Sequence, residues 1–584
     1  MTGSLTGPGQ ATAASPVSEL ERLLGDATVP GNAVGNATIL AADERCETLA
    51  EGERLLGRSG FNAHWVPAEL GGRFHRLDGL IEVIRTVYRR DPALGLGYGA
   101  GSFIAAVNVW AAGSPRQRAD LATLLLRGGR AACSYRALAG GDGRGGTSLV
   151  AFPTPGGRGR LLTGRAEWIV NPRHADALVL FARTDSAPGE RSHSQLLVHR
   201  SFLLGAHARH LGRARLAGMR GVGFGGVEFA ACPIPDSAVV GVLGGGTETA
   251  LRSSALARIA LTGMTCGLLD TALRTALRCL AGRRLYGGTA ADLPLTRTVL
   301  AEAFADLILA DAFTVVAARA VHTAPARALT YAAAVKALVP RVLIDALDRL
   351  SGLLGSQFYL RTGRYAIFQK LLRDALSSAS EPAPRTTSLA DLLPQLPLAA
   401  RGGWSQPDAE PLAEQTFRLG ADLPGLRYDA LSAAASGDDP LARSLAADAD
   451  RLRPDSDDRL EHAVASRARA CLQELARLAA DCSALPTPYL APTAPAHVFD
   501  LAERWTGVLA TAACLGLWRC NGGEGDEFIG DPVWPLAALH RLDAHLGRHH
   551  DPLPEELAAR LHTELTRREE AGLTFDLACH PTSA

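Results

Sequence analysis

The feature that most constrains the fold is a change of periodicity near Ala131, which reverses near Gly244. Before the first point and after the second, apolar residues recur at helical spacing. Between them stand short β-prone runs separated by glycine-containing turns, among them 177–181 and 196–198. This order predicts a mostly α-helical protein with an inserted β-barrel or β-sandwich domain.

The same pattern divides the chain into segments. A length of 584 residues is enough for several domains. We expect a disordered tail at 1–18, an N-terminal helical domain at 19–128, the β-domain at 129–242, a C-terminal helical bundle at 243–378, a Ser/Pro/Thr-rich linker at 379–405 and an additional helical domain at 406–584. The cleft where the first three units meet is the kind of interface that favours a ligand site.

Composition excludes some classes of protein. The 60 basic and 60 acidic residues balance, which argues against nucleic-acid binding. The ten cysteines form no CxxC pair, so we expect buried thiols and no metal site. The N-terminus lacks a signal-peptide pattern, and no apolar run reaches about 18 residues. We therefore expect a cytoplasmic protein that does not insert into a membrane.

Four segments carry recognisable motifs: 135–142 (YRALAGGD), 163–171 (TGRAEWIVN), 219–229 (MRGVGFGGVEF) and 283–287 (RRLYG). A weaker fifth runs from 353–355 to 372–375. In this order and spacing, over about residues 20–380, they resemble the acyl-CoA dehydrogenase family. The resemblance implies that family's α–β–α fold and an FAD cofactor in the three-way cleft.

The resemblance assigns one group of residues to the flavin ring. Cys133, Ser134 and Tyr135 would follow one edge of the ring, and Trp168 would pack against it. Tyr135 and Val170 stand where the family has threonines, so two polar flavin contacts are altered or lost. On the residues alone, Trp168 could equally be an ordinary core tryptophan.

A second group is implied at the other end of the cofactor. Arg283 would meet the pyrophosphate, from a neighbouring subunit, because a guanidinium pairs with phosphate oxygens bidentately. Tyr286 would lie nearby, and Gly355 with Ser356 would approach the adenosine. The rival interpretations are a solvated arginine, one of 58 in the chain, and a packed tyrosine.

The resemblance also implies substrate-binding and catalytic positions. Gly140, Gly141 and Arg258 would contact the substrate, although the glycines could form a plain turn. A carboxylate must remove the α-proton, and burial would make it a better base. Glu381 is the candidate base, one residue short of the family spacing, and it could instead be a solvated linker residue. The family's other location for the base, Ala257, holds no carboxylate.

The implied activity is FAD-dependent α,β-dehydrogenation of an acyl thioester in bacterial secondary or lipid metabolism. The carrier would be coenzyme A or an acyl carrier protein, the electron acceptor an electron-transfer flavoprotein or O₂, and the assembly a homodimer or homotetramer. Two alternatives stay open: a flavin-dependent monooxygenase or oxidative decarboxylase of the same fold, and a non-catalytic homologue that binds a carrier protein. The extra C-terminal module would complete a subunit surface or cap the acyl tunnel.

Overall fold

Helices make up most of the described chain. The structure, a computed structural model, describes residues 15–134, 149–187, 189, 191–203, 207–380, 385–404, 410–451, 459–522 and 527–583. Its α-helices are α1 (Pro16–Leu24), α2 (Asn36–Glu44), α3 (Ala50–Arg58), α4 (Leu77–Arg90), α5 (Pro92–Leu94), α6 (Gly101–Ala112), α7 (Pro115–Leu126), α8 (Arg200–Leu203), α9 (Gly246–Gly282), α10 (Pro294–Thr323), α11 (Ala328–Leu354), α12 (Ile367–Ser380), α13 (Arg385–Ala390), α14 (Leu396–Arg401), α15 (Pro440–Arg451), α16 (Arg459–Cys482), α17 (Ala496–Asn521), α18 (Glu527–Gly530), α19 (Val533–His545) and α20 (Glu555–Glu570). A π-helical turn, Gly95–Ala100, precedes α6.

The β-domain lies between the two helical parts. Its strands are β1 (Ala131–Cys133), β2 (Val150–Pro153), β3 (Arg160–Val170), β4 (Ala177–Arg183), β5 (His193–His199), β6 (Ala208–His210), β7 (Phe224–Ile234) and β8 (Val239–Val240). They form one sheet in the order β6-β7-β3-β2-β4-β5-β8, and β1 pairs with β4 in parallel. The domain encloses its own apolar core, which includes Leu178, Leu180, Leu196, Val198, Val227 and Phe229. The predicted fold class, helical with an inserted β-domain, is confirmed.

Helix α9 is the axis of the bundle. Short connections reverse the chain between α9, α10 and α11, so α9 and α11 run parallel and finish at the same end. Helix α12 starts at that end, where the Tyr365 hydroxyl donates to the Arg278 carbonyl at 3.3 Å. It then runs back, and Ala375 shares a small recess with Thr262 and Thr265 of α9. The second half of α12 therefore lies beside the middle of α9.

Two helical stretches, Pro92–Ala112 and Gly246–Gly282, are long and apolar enough to cross a membrane by length and composition. Their most apolar windows are 94% and 89% buried among the other elements. Core helices of globular proteins have the same property. Length and hydropathy alone thus do not distinguish these two helices from core helices.

The segment predicted to be a linker is folded where the structure describes it. Helices α13 and α14 occupy much of 385–401, and the leucines at 389, 392, 393 and 396, in these helices and the turn between them, are buried. Helix α13 packs against α11 and α17, and α14 packs against α16. The Ser/Pro/Thr-rich composition concealed these apolar residues, and the linker prediction is wrong for this segment.

The C-terminal module is joined to the bundle through buried charges. Arg85 of α4 is 1% exposed and reaches Asp311 of α10 at 2.7 Å and Asp576 at 3.0 Å. Asp576 belongs to the strand-like end of the chain beyond α20. A buried guanidinium between two carboxylates therefore connects three distant parts of the sequence.

A second charged cluster surrounds Asp306 of α10. Its carboxylate accepts from Arg541 at 3.0 Å, from His545 at 2.9 Å and from Arg349 at 2.5 Å. The other imidazole nitrogen of His545 lies 3.2 Å from Asp345. Burial opposes the charged imidazole, but Asp306 and Asp345 outweigh it and raise the pKa of His545 above its ordinary value.

Candidate active site

Trp168 lies in an irregular part of β3. The register between β3 and β7 shifts between Ala166 and Ile169, so Trp168 belongs to a bulge. Its backbone has φ +60°, a left-handed conformation that is uncommon for a bulky residue. The side chain is 43% exposed, so the interpretation of Trp168 as a plain core residue is wrong.

Val170, the last residue of β3, faces the N-terminal helices. A Cβ placed on Gly101 of α6 would lie 3.3 Å from Val170 Cγ1. That distance is tighter than ordinary van der Waals contact, so the glycine lets helix and strand approach closely. The end of β3 thus packs directly on the face of α6.

Asn108 of α6 is the point where the three units meet, which we call the seam. Its Oδ1 accepts from Gln195 Nε2 of β5 at 2.7 Å and from Ser253 Oγ of α9 at 2.6 Å. Its Nδ2 lies 4.0 Å from the Cys133 sulfur at the end of β1. Burial raises the pKa of the Cys133 thiol, so the group stays neutral. Sequence reasoning missed Asn108, because a lone asparagine in an apolar helix gives no pattern.

Ser134 follows Cys133 and is buried, with its backbone N–H donating to the Val179 carbonyl at 3.0 Å. Both residues extend the register of β1 against β4. The predicted flavin-edge residues therefore lie on the strand that leads into the seam.

Arg258 lies one turn beyond Ser253 on α9. Its guanidinium is buried and donates to Asp391 at 2.5 Å. Asp391 comes just after α13, in the segment predicted to be a linker, so the sequence gave no signal for this pair. The predicted substrate-binding arginine is thus held by a carboxylate from the chain that follows α12.

The cofactor residues predicted at the other end of the site lie together, far from the seam. Arg283 directly follows α9, and Gly355 with Ser356 directly follows α11, which ends at the same end of the bundle. Tyr286, at φ +51° and 93% exposed, sits in the turn between β9 (Arg284–Leu285) and β10 (Gly288–Thr289). Tyr286 is therefore not the packed aromatic that the alternative interpretation expected.

The predicted site residues that the structure describes are divided here into two groups. The near group comprises Cys133, Ser134, Trp168, Val170 and Arg258, and the distal group comprises Arg283, Tyr286, Gly355 and Ser356. Arg258 and Arg283 are separated by 25 helical residues, about 37 Å along α9. Arg258 lies in the first half of α9 and Arg283 directly follows its last residue, so the two groups are attached to different parts of one helix.

Four predicted residues lie outside the described residues: Tyr135, Gly140, Gly141 and Glu381. The described part of α12 places Ala375 beside Thr262 and Thr265 of α9. Within the described ranges, no cluster of three or more His, Cys, Asp or Glu side chains is arranged to bind a metal ion.

A buried lysine anchors α12 beside this region. Lys370 Nζ donates to Asp374 at 2.5 Å and to Asp91 at 2.7 Å, and Asp374 accepts the Met219 backbone N–H at 2.6 Å. Burial disfavours the ammonium, but the carboxylates of Asp374 and Asp91 outweigh it and raise the pKa of Lys370. One signal could have found it: Lys370 is one of two lysines in a chain that otherwise uses arginine.

Comparison with known proteins addresses the bundle and the β-domain. A family model described as the acyl-CoA dehydrogenase C-terminal domain matches residues 244–379, which are α9 to α12. Mitochondrial isovaleryl-CoA dehydrogenase of Oryza sativa subsp. japonica is 24% identical over 274 residues, covering 46% of this chain and 64% of that protein. Residues 244–379 belong to the acyl-CoA dehydrogenase C-terminal domain family. The chain spans less than two thirds of the length of this curated relative.

Solved structures extend the likeness to acyl-CoA dehydrogenases beyond the matched bundle. An acyl-CoA dehydrogenase from Bacillus anthracis, complexed with FAD, superposes with a TM-score of 0.65 at 15% identity. It covers 95% of this chain and 94% of its own, so its fold includes a counterpart of the C-terminal module. The prolyl acyl carrier protein oxidase AnaB superposes with a TM-score of 0.53 at 16% identity, over 65% of this chain and 97% of its own.

Proposed function

We propose that this protein is an FAD-dependent enzyme that oxidises an acyl thioester to its α,β-unsaturated form. The observation that carries the proposal is Trp168 in the β3 bulge, which is 43% exposed and has a left-handed backbone, in a chain whose bundle matches this family. Backbone strain at a residue with an exposed side chain is typical of functional sites. The interface of the three units is the expected position for a ligand.

The residues present fit FAD by their chemistry. In the near group, Trp168 offers an accessible indole face, and the end of β1 offers backbone groups. In the distal group, Arg283 offers an exposed guanidinium for the pyrophosphate, and Gly355, at φ +57°, has no atom within 4 Å of a built Cβ. Bound FAD would supply the acceptor for the hydride that leaves the β-carbon.

The chain's own residues would do the proton chemistry. Glu381, just beyond α12, is proposed as the base that removes the α-proton. The Arg258–Asp391 pair would hold α9 and the segment after α13 together, and the buried bond between Asn108 and Ser253 would help to exclude water. A base in such dry surroundings has a raised proton affinity, which favours proton abstraction.

The separation of the two groups supports a site shared between subunits. About 37 Å of α9 lies between Arg258 and Arg283, so the near group of one chain would be completed by the distal group of another. Exposed Tyr286 and Arg283 are then interface residues. We accordingly propose a homodimer or homotetramer.

The finer assignments are proposals of the same kind. Coenzyme A and an acyl carrier protein are the candidate carriers, and the likeness to a carrier-protein oxidase favours the second. Electron-transfer flavoprotein or O₂ would accept the electrons. A cytoplasmic role in bacterial secondary or lipid metabolism completes the proposal.

The test starts with the visible spectrum of the purified protein, in which bound flavin gives an absorption band. Anaerobic mixing with butyryl-CoA and with a butyryl carrier protein should bleach that band and yield an acyl group with two hydrogens fewer, measured by mass spectrometry. A colourless protein that cannot be reconstituted with FAD would refute the proposal and leave the non-catalytic alternative. O₂ uptake with an oxygenated or decarboxylated product would favour the monooxygenase alternative.

Two variants test the assigned residues. Arg283→Ala should lower flavin retention, whereas Arg116→Ala, an exposed arginine paired with Asp120, should not. Glu381→Gln should abolish α-proton exchange while flavin stays bound. Full flavin occupancy in the first variant, or unchanged exchange in the second, would remove that residue from its role.

A further inference from the structure

Asn171 joins three elements at the end of β3. Its Nδ2 donates to the Gly97 carbonyl in the π-helical turn at 2.7 Å. Its Oδ1 accepts the Gly223 backbone N–H at 2.6 Å, and its own N–H donates to the Gly223 carbonyl at 2.8 Å. The side chain is buried, with both polar atoms bonded. One amide thus fastens the strand to the helical domain and to the segment before β7.

The two glycines that bond Asn171 leave little or no room for a side chain. A Cβ on Gly97 would lie 3.0 Å from Asn171 Nδ2, and a Cβ on Gly223 would lie 2.7 Å from Asn171 Oδ1. The distance at Gly223 is too short for a real Cβ contact, and the distance at Gly97 is tight enough that the amide would have to shift slightly. Because neither glycine has a Cβ, the backbone at Gly97 and at Gly223 can lie close enough to the Asn171 amide to form these hydrogen bonds.

The segment between Trp168 and Asn171 is under backbone strain at both ends. Trp168 has φ +60° and Asn171 has φ +48°, and both values are left-handed. Such conformations persist where the surroundings over-determine them. The Asn171 bonds supply that constraint at one end, and Val170 lies between them against Gly101. A π-helical turn at the other side of the contact is a feature often found at functional sites.

We propose that Asn171 is a positioning residue that fixes the distance between the Trp168–Val170 segment and helix α6. The inference rests on the proposed function, in which the flavin ring lies along that segment and the thioester lies in the cleft beside it. Asn171 itself touches neither. Its role is to set the separation of hydride donor and acceptor, for which misplacement by about 1 Å can cost about 100-fold in rate.

Two substitutions of Asn171 separate this role from a plain structural one. Asn171→Asp keeps the shape and the acceptor for Gly223, but turns a carboxylate oxygen toward the Gly97 carbonyl. Asn171→Gly accepts the left-handed backbone and removes both side-chain bonds. Gly97→Ala perturbs the same contact from the other side. Asn32→Asp is the matched control, since Asn32 also donates to a carbonyl (Leu24, 3.0 Å) and accepts a backbone N–H (Val34, 2.9 Å).

The expected result is a split between binding and chemistry. All three site variants should retain flavin and a KM within about twofold of wild type, while the rate of anaerobic flavin bleaching falls about 10- to 100-fold. The visible band should shift, and amide hydrogen exchange of the 219–226 segment should accelerate. Asn32→Asp should keep the wild-type rate, band and exchange in that segment.

Two outcomes would contradict the positioning role of Asn171. A wild-type bleaching rate in flavin-loaded Asn171→Asp and Asn171→Gly would remove the positioning role. Loss of flavin from both would make Asn171 a cofactor-retention residue instead. If the Asn171 variants do not fold, Gly97→Ala decides by the same rate. Failure of the proposed function is recognised separately, because wild type is then not reduced by any thioester, and the band shift and hydrogen exchange still test whether Asn171 positions the segment.

Discussion

The seam at the β-domain and the junction with the C-terminal module are joined in different ways. The seam is fastened by neutral amides and hydroxyls: Asn108 meets Gln195 and Ser253, and Asn171 meets two glycine backbones. The junction is fastened by buried ions, in which Arg85 bridges Asp311 and Asp576. Neutral bonds keep their strength at any ordinary pH, whereas buried ions lose a partner's charge at a cost of several kcal/mol. The cleft and the module should therefore respond differently to mutation and to pH.

The largest expected effect is on the ionic side. Arg85→Met leaves Asp311 and Asp576 as uncompensated buried carboxylates, so the free energy of unfolding should fall by about 3–5 kcal/mol. Chemical denaturation followed by circular dichroism measures it. Arg54→Met, which breaks the exposed Arg54–Glu51 pair, is the control and should leave stability unchanged. A loss below about 1 kcal/mol for Arg85→Met would erase the contrast between the two regions.

Loss of the neutral hydrogen bonds at the seam should lower the free energy of unfolding by less than loss of the buried ion pairs. Asn108→Ala removes the acceptor of the Gln195 side-chain amide and should lower the free energy of unfolding by about 1–3 kcal/mol. Ser253→Ala should cost less, because it removes one bond and leaves Gln195 paired. The double variant should be less destabilised than the sum of the two, and strict additivity would show that the residues do not share a network.

The pH response should come from the module. The pKa of His545 is raised above 6.5, so its stabilisation is complete below about pH 6.5 and is lost as pH rises through the higher folded-state value. His545→Gln should flatten that part of the stability profile, measured by thermal unfolding between pH 6 and 9. His580, paired with Glu82, also has a raised pKa and stays intact in the comparison. If stability depended on pH between pH 6 and 9 in the same way in His545→Gln as in wild type, a group other than His545 would cause that dependence.

The smallest effect is expected for an ion pair on the surface. Arg361 and Glu44 are half exposed and lie 2.5 Å apart. Arg361→Ala should change the free energy of unfolding by less than about 1 kcal/mol, because water and salt screen such pairs. A larger loss in equilibrium denaturation would mean that exposed and buried ions contribute alike here.

The order of helices and strands could be predicted because the spacing of apolar residues along one sequence distinguishes a helix from a strand. The helical pattern from Ala257 onward and the strand runs near Ala177 predicted α9 and β4. The motif with Trp168 and Asn171 located the end of β3 as well. The near and distal groups were also named from the motifs, although their separation along α9 was not.

The contacts between side chains around the candidate site could not be predicted from the sequence. Arg258 and Asp391 are 133 residues apart, and neither belongs to a local pattern that would pair them. Asn108, Gln195 and Ser253 come from three units, so their meeting depends on how those units pack. The leucines of α13 were hidden by a Ser/Pro/Thr-rich composition. Long-range pairing of single polar residues leaves no periodic signal.

Helix α9 has a mechanical consequence through its length. Because Arg258 and Arg283 are about 37 Å apart along the helix, a tilt of one degree about Arg258 displaces Arg283 by about 0.6 Å. In the proposed dimer or tetramer, a small rotation of α9 near Arg258 would therefore be enlarged at the exposed turn that carries Tyr286.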